Sequence, residues 1–421
     1  MAVPPSVPDD LVELEVGAIA AGGGCVGRVP DGRVVFVRHA LPGERVVARI
    51  TAETTSYLRA DAVDVLEASP DRVAPPCPHA GPGRCGGCDF QHVTPAAQRR
   101  LKEDLVAEQL ARVGGLERRV EVEDVGGASD GLGWRTRVAF AVDRDGVVGL
   151  RRHRSHEVEP LAVCPIATDG VNGAGVGGRT WPGARQLEVL ASPDGGGPVV
   201  LVDTGRQRLG PAPDLDAGLV WKGRTLRPPD HVEFVVSGHR FVVHAGVFWQ
   251  VHPRAAEVLT RAVLDGLQGR PGERAADLYA GAGLFTVALA RAVGPTGSVV
   301  AVERSKRAVA DLTHNVAGLD HVEVVRAGVS PRLVADGLGR PDLVVLDPAR
   351  AGAGAEVLDA LCGLDPAPRR IAYVSCEPAP FARDLRVLSA AGWTLGSLRA
   401  FDLFPMTEHV ELVAVFDRPG S

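Results

Sequence analysis

From residue 252 onward, helix-period segments alternate with short apolar runs, and this rhythm constrains the chain more than any other feature. Helical spacing over 254–267 precedes Ala275-Ala-Asp-Leu-Tyr279, and 284–293 precedes Ser298-Val-Val-Ala-Val302. A third helical stretch, 304–317, precedes Val322-Glu-Val-Val325, and later runs follow at 342–346, 371–374 and 410–416. Apolar strands alternating with helices predict a doubly wound, parallel, Rossmann-like α/β domain.

Residues 9–68 read differently. Alternation at Val12, Leu14 and Val16 and over 45–49, with turn signals at 22–24 and 30–32, predicts short strands in a small OB-like β-barrel. Ser69 to Pro75 reads as a linker, and three cysteines follow at 77–88. Helical spacing from Pro95 to Val113 ends at Gly114-Gly115. Residues 132–250 mix strand-like runs with loops, and the Gly-rich stretch 170–198 reads as irregular. The expected division is a barrel at 9–68, a central domain at 69–245 and the α/β domain at 246–421. The helix at 96–114 is free to pack on the last of these.

A chain of 421 residues has room for two to four domains, and 45% hydrophobic with 23% charged residues is ordinary for a globular protein. No run approaches about 18 consecutive apolar residues, so no transmembrane helix is expected. The start MAVPPSVPDD has neither a basic segment nor an apolar core, so no signal peptide is expected and the cytoplasm is the expected location. The net charge of -6 gives no global attraction to nucleic acid. A local basic face remains open, with Arg135, Arg137 and Arg151-Arg-His-Arg154 as candidate phosphate contacts. Seven cysteines without an export signal argue against a disulfide framework and for metal binding or catalysis.

The segment Asp277-Leu-Tyr-Ala-Gly281-Ala-Gly283-Leu-Phe-Thr286 joins the first strand of the α/β domain to its helix. Glycines there permit a tight turn and close approach to a ligand. Thr286 occupies the place of the third glycine of a dinucleotide fingerprint, which favours S-adenosylmethionine over NAD. Glu303 ends the second strand, where a carboxylate can bind ribose hydroxyls. Asp347-Pro-Ala-Arg350 follows another apolar strand, where a carboxylate can reach a substrate base. Cys376 ends a buried strand facing the glycine loop, a position suited to a nucleophile. Glu408 and Glu411 are candidate bases, Glu411 the better because it falls on the strand; His409 reads as structural or supporting. Cys25 and Cys362 read as structural.

Cys77, Cys85 and Cys88 supply three close thiolates, and Cys164-Pro is the best fourth. Zinc ribbons use two CxxC pairs; three clustered cysteines with one remote fit an iron–sulfur cubane better, with zinc left open.

Together these motifs resemble the RNA 5-methyluridine methyltransferase family over about residues 9–418. The resemblance implies a class I methyltransferase domain, an N-terminal TRAM barrel that binds RNA and a central α+β iron–sulfur domain. Cys77, Cys85, Cys88 and Cys164 would be the [4Fe-4S] ligands. Gly246-Val-Phe-Trp-Gln250-Val-His resembles the family's F-x-Q-V-N segment, giving Gln250 a contact with cofactor and substrate. Asp277, Tyr279, Gly281, Gly283, Glu303 and Asp347 would line the cofactor or substrate site. Cys376 in Ser-Cys-Glu-Pro would be the nucleophile and Glu411 in FPxTxHxE the general base, with Asp347 assisting catalysis. The chain departs from the pattern with Glu377 and Leu284 in place of Asn, Ala349 in place of Pro and His252 in place of Asn; Ser56 to Arg59 lacks the usual lysines.

The expected activity is transfer of methyl from S-adenosylmethionine to uridine C5 in tRNA or rRNA, through a covalent Cys376–C6 adduct. The expected enzyme is a monomer with no obligate protein partner. The competing readings are C5 methylation of cytosine or another nucleobase, and a non-catalytic RNA-binding or assembly factor. Nucleoside analysis of the RNA separates them. An iron–sulfur redox protein is a further reading; the CxxxCxxC of a radical enzyme is absent.

Overall fold

Alternating side chains build the first unit. In a computed structural model describing residues 10–127 and 130–418, strands Leu11–Ala20, Gly24–Arg28, Val34–Arg38, Arg45–Glu53 and Tyr57–Glu67 close into a barrel. Residue 9 and residues 419–421, at the expected domain limits, lie outside the described residues. So does the N-terminal stretch considered for a signal peptide, apart from Asp10. Leu14, Val16, Val35, Val37, Val46, Ala48, Leu58 and Ala60 point inward and form the barrel core. The segment after the barrel is pinned rather than loose. Arg72 grips the fully buried Glu44 carboxylate through Nε at 2.6 Å and Nη2 at 2.5 Å, a bidentate geometry that guanidinium favours.

The central segment forms a seven-stranded sheet from Arg137–Val142 to Arg224–Arg227, mostly antiparallel, packed on Trp134, Phe140, Trp181 and Leu187. The stretch 170–198, expected to be irregular, holds the short helix Asp169–Gly173 and the sheet strand Gln186–Leu190. The alternation in Gln-Leu-Glu-Val-Leu is real but only five residues long, so glycine-rich flanks mask it.

The last unit is an eight-stranded sheet. Its order runs Val322–Arg326, Ser298–Glu303, Arg274–Leu278, Leu343–Leu346, Arg370–Ser375, Glu411–Asp417, Thr394–Phe401, Val122–Glu123. Side chains divide by parity between the two faces: Ala275, Leu343, Val345, Ala372 and Val374 on one, Ala276, Leu278, Val344, Leu346, Ile371 and Tyr373 on the other. Helices cover both faces, which is why these strands read as continuous apolar runs. The parallel expectation needs correction at one end. Glu411–Asp417 runs antiparallel to both Arg370–Ser375 and Thr394–Phe401.

The three segments interleave. Val122–Glu123, from the central segment, is the edge of the last sheet. The hairpin His231–Val236/His239–His244 shares the core of the last unit through Phe234, Phe241 and Val243. Helix Pro95–Gln109 continues as a π-helical turn, Leu110–Gly114, stops at the left-handed Gly115, and packs on Pro378–Ala390. Among the described residues, no helix is long and apolar enough to cross a membrane.

Candidate active site

The sheet order fixes where a ligand can sit. The chain leaves Arg274–Leu278 toward one edge and resumes at Leu343–Leu346 toward the other, so the two adjacent strands form the topological switch point. Ligand crevices open there, at carboxyl ends of strands. Asp277 and Glu303 lie in the last residues of their strands, and Asp347 and Cys376 directly follow theirs. Glu411 reaches the same edge because its strand is antiparallel and starts where Ser375 ends, beside Leu412.

The glycine loop leaves the sheet in a constrained conformation. Tyr279 has φ 68°, in the left-handed region that a bulky side chain seldom adopts. At Gly283, φ is 96° and a Cβ would lie 2.6 Å from Leu312 Cδ1, so only glycine fits. Thr286, in the helix Leu284–Val293 that follows, donates its hydroxyl to Asp277 Oδ2 at 2.5 Å. Among the described residues, Asp277 Oδ1 is buried without a hydrogen-bond partner. Burial pushes the Asp277 carboxyl up to about 7, against the Thr286 hydrogen bond. Glu303 accepts the N–H of Gly281 at 3.1 Å and that of Ser305 at 2.6 Å, which holds its carboxylate against the loop.

Asp347, Cys376 and Glu411 share one desolvated neighbourhood. Burial, then the nearby Asp277, push Asp347 up to about 7. Burial pushes the Cys376 thiol up to about 12, reinforced by Glu411 and Glu377 and opposed by Arg350. Glu411 is buried and raised well above the carboxylate range by desolvation, then by Asp347 and Glu377. Glu377 faces His409 Nδ1 at 3.6 Å and Arg350 Nε at 3.7 Å, and Arg350 Nη2 stands 3.4 Å from His409 Nε2. Burial, then Arg350, push His409 down to about 4, so it is neutral at pH 7. Glu408 turns the other way, accepting the Gly22 N–H of the barrel at 2.5 Å. Gln250 is buried just beyond the hairpin and, among the described residues, shares no hydrogen bond with these carboxylates.

Distant residues hold the loop that carries Glu411. Lys102, fully buried, donates to Asp402 Oδ1 at 2.6 Å and to the Phe404 carbonyl at 2.9 Å. Gln98 accepts the Met406 N–H at 2.7 Å. Sequence reading missed both; a lysine inside an apolar helical stripe was the available signal. It also gave no role to Arg350, although its motif was visible.

Cys77, Cys85, Cys88 and Cys164 line one cavity of about 350 Å³. A single tetrahedral zinc with Zn–S near 2.3 Å needs sulfurs about 3.8 Å apart. Among the described residues, the metal-ligating group with all donors within 4.8 Å lies elsewhere, so these sulfurs are spread wider. Gly87 N–H donates to Cys85 Sγ and Gln91 Nε2 to Cys88 Sγ, both at 3.4 Å. Wide spacing with N–H donors to sulfur fits a polynuclear cluster better than one zinc. Cys25 is buried in the barrel, its thiol on the Ala40 carbonyl, and Cys362 lies away from both groups, against the core near Trp393.

Two expected phosphate contacts are corrected: Arg135 lines the cysteine cavity and donates Nε to the Arg137 carbonyl at 3.1 Å. Arg137 is spent inside the fold, on Glu188 at 2.7 Å and the Val247 carbonyl at 2.6 Å. Arg152 pairs with Glu157 and Glu159, while Arg151 stays exposed.

Comparison with known proteins fits this geometry. Residues 11–63 match the TRAM domain and residues 340–418 the tRNA (Uracil-5-)-methyltransferase family. Residues 253–337, around the glycine loop, match Protein-L-isoaspartate(D-aspartate) O-methyltransferase. An uncharacterized RNA methyltransferase of Streptomyces avermitilis is 46% identical over 96% of this chain and 98% of its own. The 23S rRNA (uracil(1939)-C(5))-methyltransferase RlmD of Acidithiobacillus ferrooxidans is 34% identical over 92% of this chain and 93% of its own. The Pyrococcus abyssi tRNA (uracil-54, C5)-methyltransferase, crystallised with S-adenosyl-L-homocysteine, superposes with a TM-score of 0.73 over 96% of this chain and 99% of that one. At 21% identity this last likeness speaks for the fold alone. The chain belongs to the family of S-adenosylmethionine-dependent RNA (uracil-5-)-methyltransferases.

Proposed function

We propose that this enzyme methylates C5 of a uridine in a structured RNA through a covalent bond between Cys376 and C6 of the base. The observation that carries this reading is the desolvated group of Cys376, Glu411 and Asp347 beside the glycine loop. Uracil C5 is too weak a nucleophile to attack a methyl sulfonium unaided. Cys376 Sγ, as thiolate, bonds to C6, and the C5–C6 π pair becomes an enolate with carbanion character at C5. Arg350, the cation beside the thiol, favours the thiolate. Bound S-adenosylmethionine supplies the electrophilic methyl group that C5 takes. Glu411 then removes the C5 proton, and the returning pair re-forms C5=C6 and expels Cys376. A carboxylate that burial makes reluctant to ionise is a stronger base than an exposed one.

Asp277, Tyr279, Gly281, Gly283 and Glu303 would hold the cofactor, and Gln250 and Asp347 would meet both cofactor and base. The orphaned Asp277 Oδ1 supports this for a cationic ligand. Extruding the target base from folded RNA costs a few kcal/mol, which contacts from the barrel and the exposed Arg151 would offset. Cys77, Cys85, Cys88 and Cys164 would hold a [4Fe-4S] cluster whose part is to fold the central segment, residues 69–245, between the barrel at 9–68 and the methyltransferase domain at 246–421, to which that segment lends Val122–Glu123 and its hairpin. We further propose that the enzyme works as a monomer in the cytoplasm. Ribosomal RNA is the first target to test, because RlmD of Acidithiobacillus ferrooxidans, named for a 23S rRNA uracil, is 34% identical; tRNA is the second.

The test is methyl transfer from labelled S-adenosylmethionine into rRNA and tRNA lacking 5-methyluridine, using anaerobically purified protein and nucleoside mass spectrometry. A 5-methyluridine product that vanishes in Cys376→Ala is the expected result. A 5-methylcytidine product, or turnover by the variant, would overturn the reading.

A further inference from the structure

The base of the hairpin His231–Val236/His239–His244 holds a second cluster of ligating groups, apart from the cysteines and the active site. His231 and His244 are direct cross-strand partners with ring centroids 5.2 Å apart. Asp230 Oδ1 lies 3.0 Å from His231 Nδ1 and 3.9 Å from His244 Nε2. Donor atoms of all three residues fall within 4.8 Å of one another. Four-coordinate zinc with bonds near 2.0–2.1 Å needs donors about 3.3 Å apart, so small side-chain shifts bring these three onto one ion.

The surroundings point the same way. Asp311, 2% exposed, takes both the His244 backbone N–H at 2.9 Å and the ring Nδ1–H at 2.6 Å. With Nδ1 held by Asp311, Nε2 is the nitrogen left beside Asp230, 3.9 Å from its Oδ1. A carboxylate on the far nitrogen is the usual support of a metal-bound histidine. Thr225 Oγ1 donates to Asp230 Oδ2 at 2.7 Å, and Oδ1 meets His231 Nδ1 at 3.0 Å, where a bound ion would displace the shared proton to solvent. The three residues are partly open to solvent, so an ion has an entry path and water can fill the remaining position.

We infer that Asp230, His231 and His244 form a binding site for a divalent first-row metal of the zinc class, oriented by Asp311. Two imidazoles and a carboxylate suit that class rather than calcium or magnesium. The ion would staple the hairpin to the helix Lys306–Asn315, which carries Asp311. The last residue of that helix, Asn315, donates to the Ala282 carbonyl in the glycine loop at 2.9 Å, so the staple braces the cofactor site from behind.

The experiment is equilibrium dialysis of the cluster-loaded full chain against Zn²⁺ alone, with zinc and iron counted by mass spectrometry. The expected result is one zinc per chain beyond any held at the cysteines. It should be lost in a His231→Ala/His244→Ala variant whose iron content and circular dichroism match wild type. Asp311→Asn should weaken it about 10- to 100-fold. Equal zinc content in wild type and the double variant, or no zinc bound by wild type, overturns the site.

Discussion

The Lys102–Asp402 brace and the buried cluster around Cys376 sit at the two ends of one loop, residues 402–411, and treat buried charge in opposite ways. At the brace, each charge meets its opposite: Lys102 Nζ lies 2.6 Å from Asp402, and the Arg72–Glu44 pair beside the barrel is built alike. In the cluster, Asp277, Asp347 and Glu411 are desolvated together, among like charges, and among the described residues Asp277 Oδ1 has no partner. Burial of an unpaired carboxylate costs stability or keeps the group protonated, and such groups gather where a ligand supplies the partner. The difference separates the charges that hold the loop from the charges that the loop presents.

The largest expected effects break one side of this contrast at a time. Glu411→Gln should lower turnover by about 10²- to 10⁴-fold, the usual weight of general-base catalysis. If its role is C5 deprotonation, the variant should also accumulate an enzyme–RNA adduct stable on denaturing gels; loss of turnover without adduct would place Glu411 earlier in the reaction. Lys102→Met should instead strike folding. It leaves Asp402 buried and unpaired, at a cost of about 3–5 kcal/mol, read as a lowered urea midpoint. Replacing both partners, Lys102→Met with Asp402→Leu, should recover most of that loss. A double variant no more stable than the single would show that the lysine's bond to Phe404, and not charge pairing, carries the brace.

The contrast also explains what was legible in the sequence. Asp277, Glu303, Asp347 and Cys376 stand at ends of strands whose apolar runs are unmistakable, so the topology alone gathers them at one edge. The brace left only a faint mark, Lys102 within an apolar helical stripe, because its partner Asp402 is 300 residues away and neither belongs to a motif. The antiparallel end of the sheet was missed for a local reason. Strand Thr394–Phe401 carries Gly396 and Ser397 at a register shift, which interrupts its apolar alternation. Val122–Glu123, at two residues, is too short to leave a pattern.

A milder perturbation, pH, sharpens the comparison without mutation. Asp277 and Asp347 have carboxyls raised from the ordinary value of 3.8 to about 7 in the cofactor-free enzyme. A group raised in the folded state contributes stability that is complete below its unfolded pKa and lost as pH rises through the folded one. The free enzyme should therefore lose stability between about pH 4 and 7, through these two groups. A cationic cofactor favours their ionised forms, so binding releases protons near neutrality and tightens as pH rises through 7. Calorimetry in buffers of different ionisation enthalpy reads the protons released. S-adenosylmethionine should gain more affinity from pH 6 to 8 than S-adenosyl-L-homocysteine, which lacks the sulfonium charge. Equal gains would mean that the carboxylates do not sense the sulfonium.

The smallest effect concerns Glu377, which stands after the candidate nucleophile. Glu377 faces Arg350 and neutral His409, and its charge helps keep the Cys376 thiol protonated while Arg350 opposes it. Glu377→Asn removes the like charge and frees Arg350 to act on the sulfur alone. The Cys376 pKa should fall by up to about one unit, worth 1.4 kcal/mol, and the acidic limb of the pH–rate profile should move down with it. Arg350→Met should move both the other way. Peptide-resolved alkylation of Cys376 as a function of pH measures the thiol directly, apart from RNA binding. An unmoved thiol in Glu377→Asn would mean that Arg350 already cancels the carboxylate, and that the substitution acts on the base rather than on the nucleophile.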